Sequence, residues 1–550
     1  LELAGPLDES KDLDEALADL AMRMTSLGMV HVVADDVLVG GPAEPQESPR
    51  GSTVPSGSVE NDVQAVIAND ERGQLRRAMN TARTALDGLS VTIDGRALNA
   101  TVGGTQTYII ELIMALARGE DVAARVLVPP DLSDRAREAL ASVPAVELLT
   151  YEQALDGPAR TDVVHRPQQV FTPDDLTLLR LVGERIVVGQ QDLVAFHNYA
   201  YHPDGDAWRA YRRTTRLALA AADQVVFFSE HARRDALAED LLPLDRTHVI
   251  GIGAEAIEPS GAPGSPPPGL SSDRPFLLCL GADYAHKNRP FAIRLLGALR
   301  ELGWDGKLVL AGTHVPHGSS REDEQQLLRD TPELAPPHTV DLGAVDEEAK
   351  KWLYAHASAL LYPTIYEGFG LLPVEAARAG LPCLFAAQAS LSELAGDAAT
   401  LVPWDPPASA AAVLPLLSEG PAREAHLATL RALRVPSWAD VAQDLVAVYQ
   451  HALASPSPGA APRVWQELER ENYIFRLDQD VTDLKRIAQE YQDAYHSLEG
   501  RVRIGLPLID NGGLLTPAQQ RGLMRIAGRG RLGALAVAPL GLLGLRDGGE

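Results

Sequence analysis

YPTIYEGFGLLPVEAARAG, residues 362–380, carries three local signals in a fixed order. An apolar run that reads as a strand ends at Tyr362, Gly368 and Gly370 follow in a loop, and Pro373 stands where the first turn of a helix tolerates a missing N–H. Glycine lets backbone N–H groups come close to a ligand, and a helix that starts straight after the loop aims unpaired amides and a positive dipole end outward. An anionic diphosphate would be stabilised there. Glu367 precedes the glycines and Glu375 lies in the first helical turn, so two carboxylates border one pocket. Spacing alone leaves two readings open. Either one carboxylate holds sugar hydroxyls and the other a ribose diol, or Glu375 merely complements the helix dipole and Glu367 is a solvated loop residue.

Outward from this segment the same strand-then-helix rhythm recurs. Short apolar or β-branched runs at Val91–Ile93, Arg125–Val128, Asp162–Val164, Ile186–Val188, Val225–Phe228 and Val249–Ile250 alternate with helical periodicity. A second block repeats the pattern at Phe276–Leu280, Leu308–Ala311, Ala359–Tyr362, Cys383–Phe385 and Thr400–Val402. The expectation is an α/β chain of two doubly wound parallel-sheet domains, with ligands beyond the carboxyl ends of the strands in a cleft between them.

Punctuation sets the boundaries. GGPAEPQESPRGSTVPSGSVE at 40–60, PSGAPGSPPPGLSSD at 259–273 and ASPSPGAAPR at 454–463 are Pro/Gly/Ser-rich and read as linkers. We therefore expect an N-terminal extension over 1–87, a first domain over 88–258, a second over 259–436 hinged at 259–273, and a crossover helix over 437–453. Ile474, Leu477, Val481, Leu484, Ala488, Tyr491, Tyr495 and Leu498 follow a 3,4 spacing within 464–500, which suits a coiled coil and self-association, a helical hairpin, or one amphipathic helix packed on the body. The tail, 501–550, places Arg521, Arg525, Arg529 and Arg531 ahead of a Gly-broken apolar stretch, so peripheral membrane contact through 521–545 competes with an ordinary helix or flexible end.

Composition narrows the classes. The 550 residues are 45% hydrophobic, and 49 basic against 75 acidic residues give a net charge of −26, which makes nucleic acid a poor partner. Cys279 and Cys383, the two cysteines, lie in apolar runs, which excludes a disulfide scaffold and points to a reducing cytoplasm, with the inner membrane face as the alternative address. No signal peptide opens the chain and no apolar run is long enough to span a bilayer. The start at Leu1 without Met suggests a fragment or a processed product.

Glu367 and Glu375 around GFG resemble the Glu-x7-Glu motif of the retaining family 4 glycosyltransferases, whose B-type fold has two Rossmann-like domains facing across a cleft. VTIDGRAL and VGGTQTYIIEL (91–98, 102–112) are similar to that family's first strand, Gly-rich turn and first helix. LCLGADYAHKN (278–288) resembles its Lys-bearing turn, and SLSELAGDAATLVPWD (390–405) its donor-side loop. The likeness covers roughly 88–453 and closes with SWADVAQDLVAVYQ, which looks like the family's last helix.

The resemblance implies transfer of a hexose or deoxyhexose from a nucleotide sugar to a glycan or lipid-linked glycan acceptor, with retained configuration and no cofactor beyond the donor itself. Lys287 would neutralise the departing diphosphate, Glu367 would contact the donor sugar, and Glu375 the ribose. Gly368, Phe369, Gly370, Leu371 and Asn288 would line the donor, Ser390 and Leu391 would offer it backbone donors, and Gly103 and Gly104 would approach phosphates and acceptor. Two positions depart from the family pattern: Ala282 stands where many relatives carry Arg, and Gln191 stands where many carry His before Asp192. Asp192 and nearby His197 are candidates for the first-domain side of the centre, although His197 reads more simply as a packed or solvated turn residue.

Asp204-Gly205-Asp206 and Asp478-Gln479-Asp480 spell acid-x-acid, but read more simply as a polar loop and a solvated helix face, so metal-independent transfer is expected. HVVADDVLVGG (31–41) looks like the closing strand region of family 2 glycosyltransferases, which would fit a longer polypeptide of several transferase domains building a repeating polysaccharide. A catalytically silent scaffold that assembles partner enzymes through 464–500 is the alternative from another class, and an epimerase or phosphorylase on the same plan is a third.

Overall fold

The computed structural model describes residues 88–99, 104–119, 122–143, 146–156, 160–254, 265–267, 270, 274–458 and 462–496. The extension over 1–87, the tail over 501–550 with its 521–545 stretch, Gly103 and most of the 259–273 hinge lie outside the described residues.

Two all-parallel sheets organise the body. The first runs β3-β2-β1-β4-β5-β6-β7, built from Leu89–Asp94, Val122–Leu127, Glu147–Leu149, Thr161–Arg166, Gly183–Gln190, Gln224–Phe227 and Thr247–Val249 in chain order. The second runs β10-β9-β8-β11-β12, from Phe276–Leu280, Lys307–Ala311, Thr339–Asp341, Ala359–Tyr362 and Cys383–Phe385. In each sheet the strand order reverses beside its first strand, between β1 and β4 and between β8 and β11. Ligand crevices form beyond such reversal points.

Strand composition follows from burial on both faces. In FLLCL of β8, Leu277 and Cys279 join a cluster with the helix Arg289–Glu301, while Phe276 and Leu278 join another with Trp352 and Leu353. A strand covered on both sides must be apolar throughout, which is why these strands read as runs rather than as alternations. The helix Trp438–Ala454 sends Trp438, Val441, Leu445 and Tyr449 into the first domain's core beside Tyr108, Ile109 and Leu112. The Tyr449 hydroxyl lies 2.7 Å from Nδ1 of fully buried His165 on β4.

Three details differ from the strand expectations. β3 and β10 differ from the expected set; each is three residues long, lies at a sheet edge and carries a polar residue at one end or both, so no extended apolar run marks it. Thr400–Val402 is not a strand. The amides of Thr400 and Leu401 both donate to Phe385 O, and Val402 spends its own N–H and C=O on Ser409 Oγ, so no ladder can propagate.

The helix Pro462–His496 is continuous, and its Leu477, Val481 and Leu484 are exposed. Among the described residues no helix is long and apolar enough to cross a membrane.

Candidate functional site

Lys287 and Glu367 meet beyond the carboxyl ends of β8 and β11, the adjacent strands at the second sheet's reversal point. A one-turn 3-10 helix, Ala285–Lys287, delivers the lysine, and Asn288 follows at φ +53, a left-handed conformation that asparagine tolerates better than most residues. Lys287 Nζ lies 2.5 Å from Glu367 Oε1 and 5.4 Å from the centre of the Tyr362 ring. The lysine side chain is 21% exposed and the glutamate 12%, so the pair is reachable from the cleft yet largely desolvated. Burial pushes the Glu367 carboxyl up, but the charge of Lys287, helped by hydrogen bonds from Lys287 and Thr364, overcomes this and holds it below its ordinary value.

The loop that carries Glu367 is held by its own chain and by the opposite domain. Ser390 Oγ, almost fully buried, lies 2.9 Å from both Glu367 O and Phe369 O. Gly370 has φ +97, and a Cβ there would meet Leu391 Cδ2 at 2.5 Å. At Gly368 a Cβ would come within 2.5 Å of Gln191 O, a main-chain atom of the first domain that cannot give way. Glycine at 368 is thus dictated by apposition of the domains. The Phe369 ring turns from the loop to the first domain's core, where a Cβ on Gly251 would meet it at 2.8 Å. Leu391 is buried and its amide donates to Gln388 O. Leu371 caps the helix Leu372–Arg378, and its carbonyl accepts from Val374 and Glu375.

Glu375 sits one turn into that helix. Its charge adds to burial in raising the Tyr354 phenol well above its ordinary value, and it acts more weakly on Tyr362, where burial and then Glu367 dominate. Tyr362 therefore lies within electrostatic reach of both carboxylates.

Asp192 completes the centre from the first domain. Burial first, then the neighbouring charge of Glu367, pushes its carboxyl up to about 6, with the Val194 amide and Lys287 opposing. One lysine thus faces two carboxylates contributed by two domains. Gln191, the departure beside it, is joined to the helix Gly104–Arg118 through Thr105 Oγ1 at 3.3 Å, so Gly104 opens a helix tied to this loop. His197 turns elsewhere: Nε2 lies 3.4 Å from Glu239, which also faces Arg212 and Arg216. Beside the other departure, Ala282, the fully buried Arg289 donates to Gly281 O at 2.6 Å.

Contacts between the domains were not legible as motifs. Tyr366 OH donates to Asp235 Oδ2 at 2.6 Å and accepts from Leu193 N at 3.4 Å. Glu393 receives the amides of Glu230 at 2.9 Å and His231 at 2.5 Å, and Tyr201 reaches His286. The only sequence signal was their adjacency to Glu367, Leu391 and Lys287. Asp204-Gly205-Asp206 is a helix cap, with Asp204 Oδ1 accepting from Asp206 N and Ala207 N. Among the described residues no group of three or more His, Cys, Asp or Glu side chains is arranged to hold a metal ion.

Residues 265–427 match the family model for glycosyl transferases group 1. The matched interval contains Lys287, Asn288, Glu367, Glu375 and Ser390. A protein of Bacillus subtilis (strain 168) bearing the name glycosyltransferase EpsF is 30% identical over 176 residues, 31% of this chain and 43% of that protein. D-inositol 3-phosphate glycosyltransferase 1 of Catenulispora acidiphila is 28% identical over 315 residues, 54% of this chain and 74% of the relative. Sucrose-phosphate synthase from Thermosynechococcus elongatus superimposes with a TM-score of 0.49 at 17% identity, over 66% of this chain and 99% of that one. The chain spans less than half the length of the first of these relatives.

Proposed function

We propose that this chain transfers a hexose or deoxyhexose from a nucleotide sugar to a growing polysaccharide or lipid-linked glycan in the cytoplasm, with retained anomeric configuration and without a metal ion. The observation that carries the reading is the desolvated Lys287–Glu367 pair at the second sheet's reversal point, inside the interval matching the glycosyltransferase group 1 model. As the bond from the sugar to the diphosphate breaks, negative charge grows on the leaving group. A lysine held in a poorly solvated cleft stabilises that charge far better than one in water. Glu367 holds the lysine at the cleft and would face the donor sugar once a phosphate takes the lysine over. Glu375, next to the loop, is placed for the ribose. Apposed domains keep water, the competing acceptor, out of the cleft.

The test is a panel of nucleotide sugars with glycan acceptors, read by mass spectrometry of products and by the NMR coupling of the new anomeric centre. Transfer with retention, undiminished by a chelator, is expected. Inversion, or activity abolished by chelation and restored by Mn²⁺, contradicts the finer reading. A silent scaffold is the competing reading, favoured by the exposed Leu477, Val481 and Leu484 on one helix. It predicts no product with any donor.

A further inference from the structure

We propose that Tyr201, brought by the first domain, is a positioning residue for the Lys287–Glu367 pair of the second, acting through His286. The inference rests on the function proposed above and adds a residue that no motif marks. The Tyr201 hydroxyl lies 2.7 Å from His286 Nδ1 and 3.2 Å from the His286 backbone nitrogen. The backbone N–H can only donate, so the phenol oxygen accepts there, and we assign its own proton to Nδ1, the arrangement that suits a neutral, buried ring. Nδ1 is then the acceptor, and the ring carries its proton on Nε2. One hydroxyl thereby fixes both the ring and the main chain of the residue that immediately precedes Lys287.

The opposite edge of His286 supports the other half of the pair. Its carbonyl accepts from Ile365 N at 2.8 Å and from Thr364 Oγ1 at 3.1 Å, and Thr364 Oγ1 also lies 3.0 Å from Tyr366 O, one residue before Glu367. Rings reinforce the contact: Tyr201 stacks on Tyr284 at 5.6 Å and on His286 at 5.8 Å. Gly318 makes room for it, since a Cβ there would come to 3.0 Å from the Tyr201 ring. Tyr201 reaches this place only when the two domains are apposed, so the hydroxyl reports closure directly to the lysine.

Removing the hydroxyl leaves Nδ1 without a donor, free to take up a proton. The charged and titratable groups around the ring are Lys287, Glu367, Tyr201 and Tyr284, with Asp192 acting on both tyrosines. In the intact protein burial, reinforced by Lys287 and opposed by Glu367, lowers His286 to about 4.

Tyr201→Phe keeps the ring stack and deletes only the hydrogen bonds; Tyr199→Phe, on an exposed tyrosine of the same turn, is the control. Three quantities are read: kcat, the donor KM, and the acidic limb of kcat, with histidine titration followed by NMR on selectively labelled protein. Tyr201→Phe is expected to lower kcat about tenfold, the size of one hydrogen bond, with a much smaller change in KM. Its acidic limb and the His286 midpoint should both move to higher pH. A Tyr201→Phe enzyme with the kcat and acidic limb of the Tyr199→Phe control overturns the proposal, and so does an unmoved His286 midpoint. The NMR titration needs no turnover. A wild-type chain inactive with every donor therefore sinks the functional reading, while the midpoint still decides whether Tyr201 holds His286.

Discussion

Each sheet places charged side chains beyond its reversal point, and the two sets differ in balance. In the first domain Asp94 ends β1 and Arg166 ends β4, and with Arg96 and Asp175 they form a closed square of two cations and two carboxylates. Burial would push Asp94 up, but Arg166 and then Arg96 hold it well below the usual carboxylate range. In the second domain Lys287 is paired with Glu367 and acts only weakly on Asp192, whose carboxyl burial first and then Glu367 push up to about 6, so one cation serves two acids. A balanced network fixes a fold. An unbalanced one has capacity left for a further anion or for a proton, which is how perturbed groups come to mark functional sites.

The comparison can be broken from either side. Glu367→Gln should cost the most, lowering transfer about a thousandfold or more, roughly 4 kcal/mol of transition-state stabilisation, while the melting temperature stays near wild type. A variant retaining a tenth of wild-type turnover would remove Glu367 from the centre. Asp94→Asn should do the reverse. It leaves Arg166 short of a buried counter-charge, so stability should fall by about 3 kcal/mol, the lower end for a broken buried pair because Asp175 still faces both arginines. Thermal melting checks this, and the protein that remains folded should transfer at the normal rate.

Asp192 sharpens the comparison with a smaller effect. Its folded-state pKa is raised, so the folded chain holds a proton that the unfolded chain has already lost. Stability is therefore lost as pH rises from about 4 through about 6. Asp192→Asn should match wild type near pH 4 and melt higher at pH 7.5, by on the order of 1 kcal/mol once screening at the cleft is allowed for. Equal melting at both pH values would show that the carboxylate is not under strain.

These contrasts also show what a sequence exposes. FLLCL and ALLY read as buried parallel strands because both faces of β8 and β11 are covered. ELL of β3 and TVD of β10 pair along one edge only and had no such signature. Lys287 and Glu367 stand on neighbouring loops of one sheet, so local motifs placed them together. The Tyr201–His286 bond joins residues 85 positions apart in different domains, and no periodicity within either encodes it. Gly368 was read as a ligand-approach glycine, whereas the atom that a side chain would strike is Gln191 O. His197 and Asp192 lie five residues apart in the sequence, yet His197 turns to Glu239, while the Asp192 carboxyl feels the charges of Glu367 and Lys287.

Calorimetric titration of UDP, GDP and dTDP into the intact chain and into Lys287→Met and Glu375→Gln tests most directly whether this cleft grips a nucleoside diphosphate. At least one nucleotide should bind the wild-type chain with a single-site isotherm, weaken about tenfold or more in Lys287→Met, and weaken less in Glu375→Gln. Heat from none of the three, or equal affinity in wild type and Lys287→Met, would contradict the account.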